Sequence, residues 1–267
     1  MLYGALCCLL VSAAGCLMSD IRDLKITHKP VLPQFTPTQD AIFLEVFFIP
    51  RPAGDPLVGE SLWKQLDEVT VVEPETRSRL RTAGLRVGSA GSNPPRTLRA
   101  AATDERTDSE QASRSQRVPL LAGQPATLEV ALHDAEFTLR STAAGGESNR
   151  VYPNGRCVLR VTGEQLQEGW VRLTFQPELH HGPSQNQRTA DEGGWKLQRG
   201  QAIDRLLETW FDVELHVGEL VVIGASGAET DSVGATFFRS GKPPEETERI
   251  LVLRVEDMKK IGSVRAE

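Results

Sequence analysis

The first nineteen residues carry no charged side chain, and the whole 267-residue chain holds only four cysteines, two tyrosines and 6% aromatics. Without Lys or Arg at its start, the chain lacks the basic opening usual in a secretion signal. Three of the cysteines, Cys7, Cys8 and Cys16, lie near the amino terminus. Loss or capping of those three leaves Cys157 alone, which excludes a disulfide scaffold. Basic charge is not in excess: 30 Lys and Arg face 36 Asp and Glu, a net charge of -6. The concentrated positive surface of a nucleic-acid binder is therefore missing. Neither a G-x-G-x-x-G stretch nor a Walker pattern occurs, so no phosphate-cradling loop and no cofactor is implied.

What is present begins with an apolar run from Leu2 to Val11 that closes on Ser12-Ala13-Ala14-Gly15-Cys16. A spanning helix needs about 20 apolar residues, and this run thins into small residues first, as processing sites do. Ala14-Gly15-Cys16 resembles the lipobox of bacterial lipoproteins, although Ala13 stands where Leu is usual. The resemblance implies that the Cys16 sulfur receives a diacylglycerol, that cleavage falls before it, and that the new amino terminus is acylated. Several acyl chains, at about 0.8 kcal/mol per buried CH₂, anchor a protein without any protein contact. In such proteins an Asp after the cysteine marks inner-membrane retention, and Leu17 stands there instead, which implies the outer membrane. An ordinary secretory cut near Ala14 and an uncleaved anchor remain as alternatives.

Residues 1–18 thus read as a signal and 19–40, with Pro30, Pro33 and Pro37, as a tether. The remaining length, about 250 residues, is enough for one large or two small domains with real cores. Residues 41–100 read as a small strand, helix, helix, strand unit. Ile42 to Ile49 is apolar on both faces apart from Glu45, as in a strand covered on both sides. Leu62, Leu66 and Val69 fall at helical spacing within 59–69, with Trp63 beside them. A second helix starts at Pro74 and stops at Gly84, before a strand at Leu85 to Gly88. Between 101 and 117 aromatic, Val, Ile and Leu residues are missing up to Arg117, so this segment reads as a flexible linker.

From 118 to 256 the period is two, the mark of a β-rich domain, followed by a tail at 257–267. Leu128, Val130 and Leu132, then Phe137 and Leu139 across His133-Asp134, predict a hairpin. Cys157, Leu159 and Val161 share one strand face, which makes the lone thiol a small buried hydrophobe. Val171, Leu173 and Phe175 alternate with Arg172, Thr174 and Gln176 in a half-buried strand. Phe211 to Val217 and Leu220 to Ile223 predict a second hairpin across Gly218-Glu219. Ile250 to Val255 supplies a last, central strand. The expected class is α+β, mainly β, the small unit being followed by an antiparallel β-sandwich or bent sheet.

Two segments carry a further likeness. RCVLRVTGEQLQEGWVRLTFQPE, from Arg156 to Glu178, resembles the part of the bacterial secretin homology region in which a strand, a turn and a strand end in Pro-Glu. FDVELHVGELVVIG, from Phe211 to Gly224, resembles the hairpin that follows it. Between them, His180-His181-Gly182-Pro183 and Asp191-Glu192-Gly193-Gly194 replace the usual glycine-rich portion. The resemblance implies a secretin-related β-module, not a pore.

Candidate chemistry is sparse. Glu178 and His180, two apart on a strand, share a face and could hold a divalent metal, with His181 pointing the other way; no third ligand has a sequence cue. The competing reading is a loop mouth with solvent-exposed histidines. His28, His133 and His216 are scattered, and read as tether or solvent-facing strand residues. Ser226 in Gly224-Ala225-Ser226-Gly227 follows a strand as a nucleophile elbow would, but lacks the residue before the second Gly and reads as a loop. Asp191-Glu192 and Glu245-Glu246 fit solvating loop charges better than an acid and base at fixed separation. Trp63, Trp170, Trp195 and Trp210 suit packing better than a ligand groove.

The expectation is a non-catalytic lipoprotein of the bacterial cell envelope, at the periplasmic face of the outer rather than the inner membrane. Lipid on Cys16 would hold it there, and an exposed sheet edge would dock an envelope protein or a like copy. The alternative is a periplasmic hydrolase or carbohydrate-binding protein whose residues converge only in three dimensions.

Overall fold

The computed structural model describes residues 39–103, 115–143, 146–191, 194–227, 229–241 and 244–261. Cys16, the signal at 1–18, His28 and nearly all of the tether lie outside them. The elements run β1 (Gln39–Pro52), α1 (Glu60–Trp63), α2 (Pro74–Thr82), β2 (Leu85–Ala90), α3 (Arg96–Thr103), β3 (Gln116–Leu121), β4 (Ala126–His133), β5 (Phe137–Ala143) and β6 (Gly146–Tyr152). They continue as β7 (Gly155–Gln167), β8 (Trp170–Asp191), β9 (Gly194–Arg205), β10 (Phe211–His216), β11 (Leu220–Ala225), α4 (Val233–Phe238), β12 (Arg239–Ser240) and β13 (Thr247–Ile261).

The class is α+β and mainly β, built on open antiparallel sheets. One sheet runs β2-β11-β13-β1-β3, with β12 also on β13; the second runs β10-β8-β7-β4, with β9 also on β8; β5 and β6 form a hairpin. The two larger sheets pack as a sandwich. Leu44, Val46, Leu120, Val221 and Leu253 of the first share one core with Leu128, Leu159, Val161, Phe175 and Val213 of the second. The opposite face of the first sheet is covered by α1 and α3, where Ile49, Val222, Ile250 and Val252 meet Leu62, Trp63 and Leu98. This double cover is why β1, β11 and β13 are apolar on both faces. Glu45 is accommodated by an ion pair with Arg254, opposite it on β13.

Residues 38–267 form one compact unit. Strands from 41–100 and from 118–256 lie in the same sheet, since β1 pairs with β13 and β2 with β11. Ends of the expected spacers are regular structure: 101–103 complete α3, 116 and 117 open β3, and 257–261 close β13. Leu98 and Ala101 of α3 are buried, and its alanine run is a strong helix former that little periodicity announced. The core of the linker, 104–114, lies outside the described residues.

Helix α2 begins at Pro74 and ends before Gly84, as expected. The first helix is much shorter than the 59–69 expectation. The Asp67 carboxylate takes the N–H groups of Val69 and Thr70 at 2.8 and 2.9 Å, while its backbone bridges Ser89. That Asx turn ends the helical path, and Val69 is left 69% exposed.

Both predicted hairpins are corrected. β4 pairs with β7, and β5 pairs with β6. β10 pairs with β8 in one sheet, whereas β11 lies between β13 and β2 in the other. The Gly218-Glu219 turn exists, with Gly218 at φ +92°, but it passes the chain between sheets. Val217 N–H bonds the Gly169 carbonyl at 2.8 Å, while Gly218 N–H bonds Val255 at 2.7 Å. Burial explains the split: β10 alternates buried and exposed residues, and β11 is buried throughout. Two strands with such different demands are best served by different sheets.

Candidate functional site

The longest strand defines the site. β8 runs 22 residues, and its partners change along its length. Phe175 is the last residue paired to β10, and His181 the last paired to β7. Beyond Gly182 and Pro183, the register from Gln185↔Gly200 to Asp191↔Gly194 joins β8 to β9 alone. Among the described residues, no third strand flanks this ribbon. Among those residues, both of its edges therefore present backbone N–H and C=O groups without a strand partner. The loop mouth expected at 180–183 and the loop at Asp191 are corrected to strand; Glu192 lies outside the described residues.

Strand alternation places two polar groups at the base of the ribbon, one on each face. On the outer face, Glu178 is 4% exposed. Its Oε2 is 3.2 Å from His180 Nε2, and its Oε1 lies 3.4 Å from Arg205 Nε and 3.7 Å from an Arg160 guanidinium nitrogen. Oε1 makes no well-directed hydrogen bond, so its stabilisation is ionic. A buried carboxylate needs such cations, because desolvation alone would oppose its charge.

On the inner face, Asp204 of β9 collects three partners. Tyr152 donates its hydroxyl at 2.8 Å, Arg150 donates at 2.6 Å, and His181 Nε2 is 3.3 Å away. The His181 ring lies edge-on to Tyr152, which stacks on Phe137. Burial, then the Asp204 carboxylate, push the Tyr152 phenol up to about 12. Glu178 and His180 thus do share a face and touch, and His181 does point away. Yet both histidines are largely covered, a correction to solvent-exposed side chains. Among the described residues, no group of three His, Cys, Asp or Glu side chains is placed to hold a metal ion. Glu178 is held by arginines instead, an arrangement that had no local sequence signal because Arg160 and Arg205 come from different strands.

The remaining candidates are dispersed. Cys157 is buried beside Leu159 and Val161, and its thiol donates to the Thr236 carbonyl at 3.5 Å. His133 is half-buried, also against the Thr236 carbonyl, at 2.7 Å. Ser226 is followed at some distance by helix α4, and its amide bonds the Gly84 carbonyl at 2.6 Å. Trp63 is buried under the Arg86 guanidinium, Trp170 meets His216 edge-on, and Trp210 is exposed. The Trp195 side chain lies outside the described residues. Among the described residues, no helix is long and apolar enough to cross a membrane.

No protein-family model and no curated protein matches the chain. Among solved structures, it is similar to the type II secretin GspD of enteropathogenic Escherichia coli, at 13% identity and a TM-score of 0.20, over 85% of this chain and 67% of that one. It is also similar to the InvG secretin-domain β-barrel of the Salmonella SPI-1 injectisome, at 8% identity and a TM-score of 0.18, over 85% of this chain and 62% of that one. The chain therefore spans about two thirds of the length of each. Within the segments that resemble secretins, 156–178 is a strand, turn and strand, with β8 continuing past Pro177-Glu178; 211–224 is divided between two sheets.

Proposed function

We propose that this chain is a non-catalytic, envelope-anchored module that acts by protein–protein contact, through strand pairing on the β8–β9 ribbon. The single observation behind this reading is the two-stranded extension beyond His181. A lone hairpin is marginally stable in water, and three or more strands are needed for independent stability. Strand addition supplies the missing partner: main-chain hydrogen bonds give affinity, and alternate side chains give specificity. The buried Glu178 and the Asp204 group anchor the ribbon's base, which suits a projecting element that must hold its direction. The occupant is a like copy or a secretin-like assembly, and lipid on Cys16 would bring the module to the periplasmic face of the outer membrane.

Native extraction followed by crosslinking tests this directly, with the whole chain, a Cys16→Ser variant, and a variant whose residues 185–200 are replaced by a short Gly-Asn turn. The expected result is a crosslinked assembly that the shortened variant loses while remaining folded. Cys16→Ser is expected to leave the membrane fraction and to lose the acyl mass from its amino terminus. Recovery of monomer alone from the unaltered chain, with no associated envelope protein, would sink the reading.

A further inference from the structure

A second feature is independent of the ribbon. A cleft of about 470 Å³ opens between α2, the segment before it, and β10, within the roughly 300–1,000 Å³ typical of small-ligand sites. Trp210 lines it and is 44% exposed. Its position is held from the backbone, since Arg79 Nη2 donates to the Trp210 carbonyl at 3.0 Å and reaches Thr76 Oγ1 at 3.4 Å. The fold thus keeps a large indole at the rim of a polar cleft, where burial would have been favourable.

The polar lining narrows the ligand. Glu73, Asp212 and Glu214 face Arg79 and Arg172. Arg172 is committed, donating to Glu214 at 3.2 and 2.8 Å and to Glu164 at 3.3 Å. Asp212 accepts the Thr174 hydroxyl at 2.5 Å, and a carboxylate retains further lone pairs. Arg79 bonds the protein through Nη2, and its Nε is buried without a partner, so the donors it keeps for a ligand are those of Nη1.

Three carboxylates against two guanidinium groups disfavour a phosphate or a carboxylate as the bound group. A cation would satisfy the acids and the indole face, but could accept nothing from Arg79. A neutral polyol does all three: its hydroxyls donate to carboxylates, accept from guanidinium N–H groups, and leave an apolar C–H face for the indole. We propose that the cleft between α2 and β10 is a binding site for a neutral saccharide, with one sugar ring stacked on Trp210. The site lies apart from the ribbon, so its failure would leave the docking reading standing.

Titration calorimetry on the full chain, read beside the Trp210 indole N–H resonance, tests it with cellobiose, maltose and the N-acetylglucosamine disaccharide. Choline and glucuronate serve as the cationic and anionic probes. At least one neutral disaccharide is expected to bind saturably and shift that resonance. Trp210→Ala should weaken binding by about tenfold or more, and Arg79→Met should weaken it too, with unchanged far-ultraviolet circular dichroism. The proposal is overturned if no disaccharide binds up to about 10 mM, which covers weak single-ring sites. Binding of choline or glucuronate in preference, or binding that survives Trp210→Ala, would overturn it equally.

Discussion

Gly234 and Gly84 meet backbone to backbone: a Cβ on Gly234 would stand 1.6 Å from the Gly84 carbonyl oxygen. Gly84 ends α2 at φ +75°, and its own Cβ would fall 2.3 Å from Oγ of Ser232. Ser232 is the residue that caps α4, accepting the Ala235 N–H at 3.2 Å. Gly234 N–H in turn bonds the Ala83 carbonyl at 3.0 Å. The end of one helix and the start of another, about 150 residues apart in the chain, are locked at a spacing only glycines permit.

Replacing Gly234 with Ala should therefore cost about 3 kcal/mol or more, because backbone rather than a flexible side chain must move. Gly54→Ala is the control. Gly54 sits at φ +81° with nothing within 4 Å of an added Cβ, so only the roughly 1–2 kcal/mol of left-handed strain applies. Urea unfolding of both variants checks this; equal losses would contradict the close-packing account.

Phe175 and Phe211 face each other across β8 and β10 with ring centroids 5.0 Å apart, stacked in the core. Phe211→Ala should destabilise by about 3–5 kcal/mol. A double-mutant cycle with Phe175→Ala should return a coupling of about 0.5–1.5 kcal/mol. Strict additivity would mean the two rings merely share a core.

Tyr152 links alkaline pH to stability. Burial and the Asp204 carboxylate keep its phenol protonated to about 12, whereas an unfolded tyrosine ionises near 10, roughly. Between those values the unfolded chain binds fewer protons than the folded one, so stability falls as pH rises. Below the unfolded value the contribution is complete. Tyr152→Phe should flatten this alkaline slope while losing about 1 kcal/mol at neutral pH with the hydrogen bond. Phenolate absorbance of a Tyr3→Phe variant, which leaves Tyr152 as the only tyrosine, should show late ionisation that becomes ordinary in denaturant.

Cys157 should resist alkylation in the folded protein. It is fully buried, and burial pushes its thiol far up from the ordinary value, so the reactive thiolate is scarce. Iodoacetamide treatment with peptide mapping should leave Cys157 unlabelled until denaturant is added. Rapid labelling under native conditions would require a local opening of β7 and α4.

Some of this was legible from residue order alone. Alternation in β8, the two-faced apolar character of β1 and β13, the Pro74 start of α2 and the burial of Cys157 all depend on local period or local stereochemistry. Helix α3 was hidden because alanine has high propensity but gives little periodicity. The first helix is shorter than its apolar spacing predicts because the Asp67 carboxylate turns onto the backbone, a contact that helical spacing does not encode. At the candidate site, the shared face of Glu178 and His180 followed from a two-residue spacing, whereas Arg160, Arg205 and Asp204 joined it only through pairing.

The sequence by itself determined that this is a β-rich chain with short helices, and which strand faces are apolar. Those are properties of neighbours in the chain, set by side-chain period and composition. Tertiary structure alone decided which strands pair, that Gly218 carries the chain from one sheet to the other, and that β8 outruns its partners into a ribbon. The reason is physical: hydrogen bonding between strands uses the same backbone groups at every residue, so the partner is chosen by burial on distant faces.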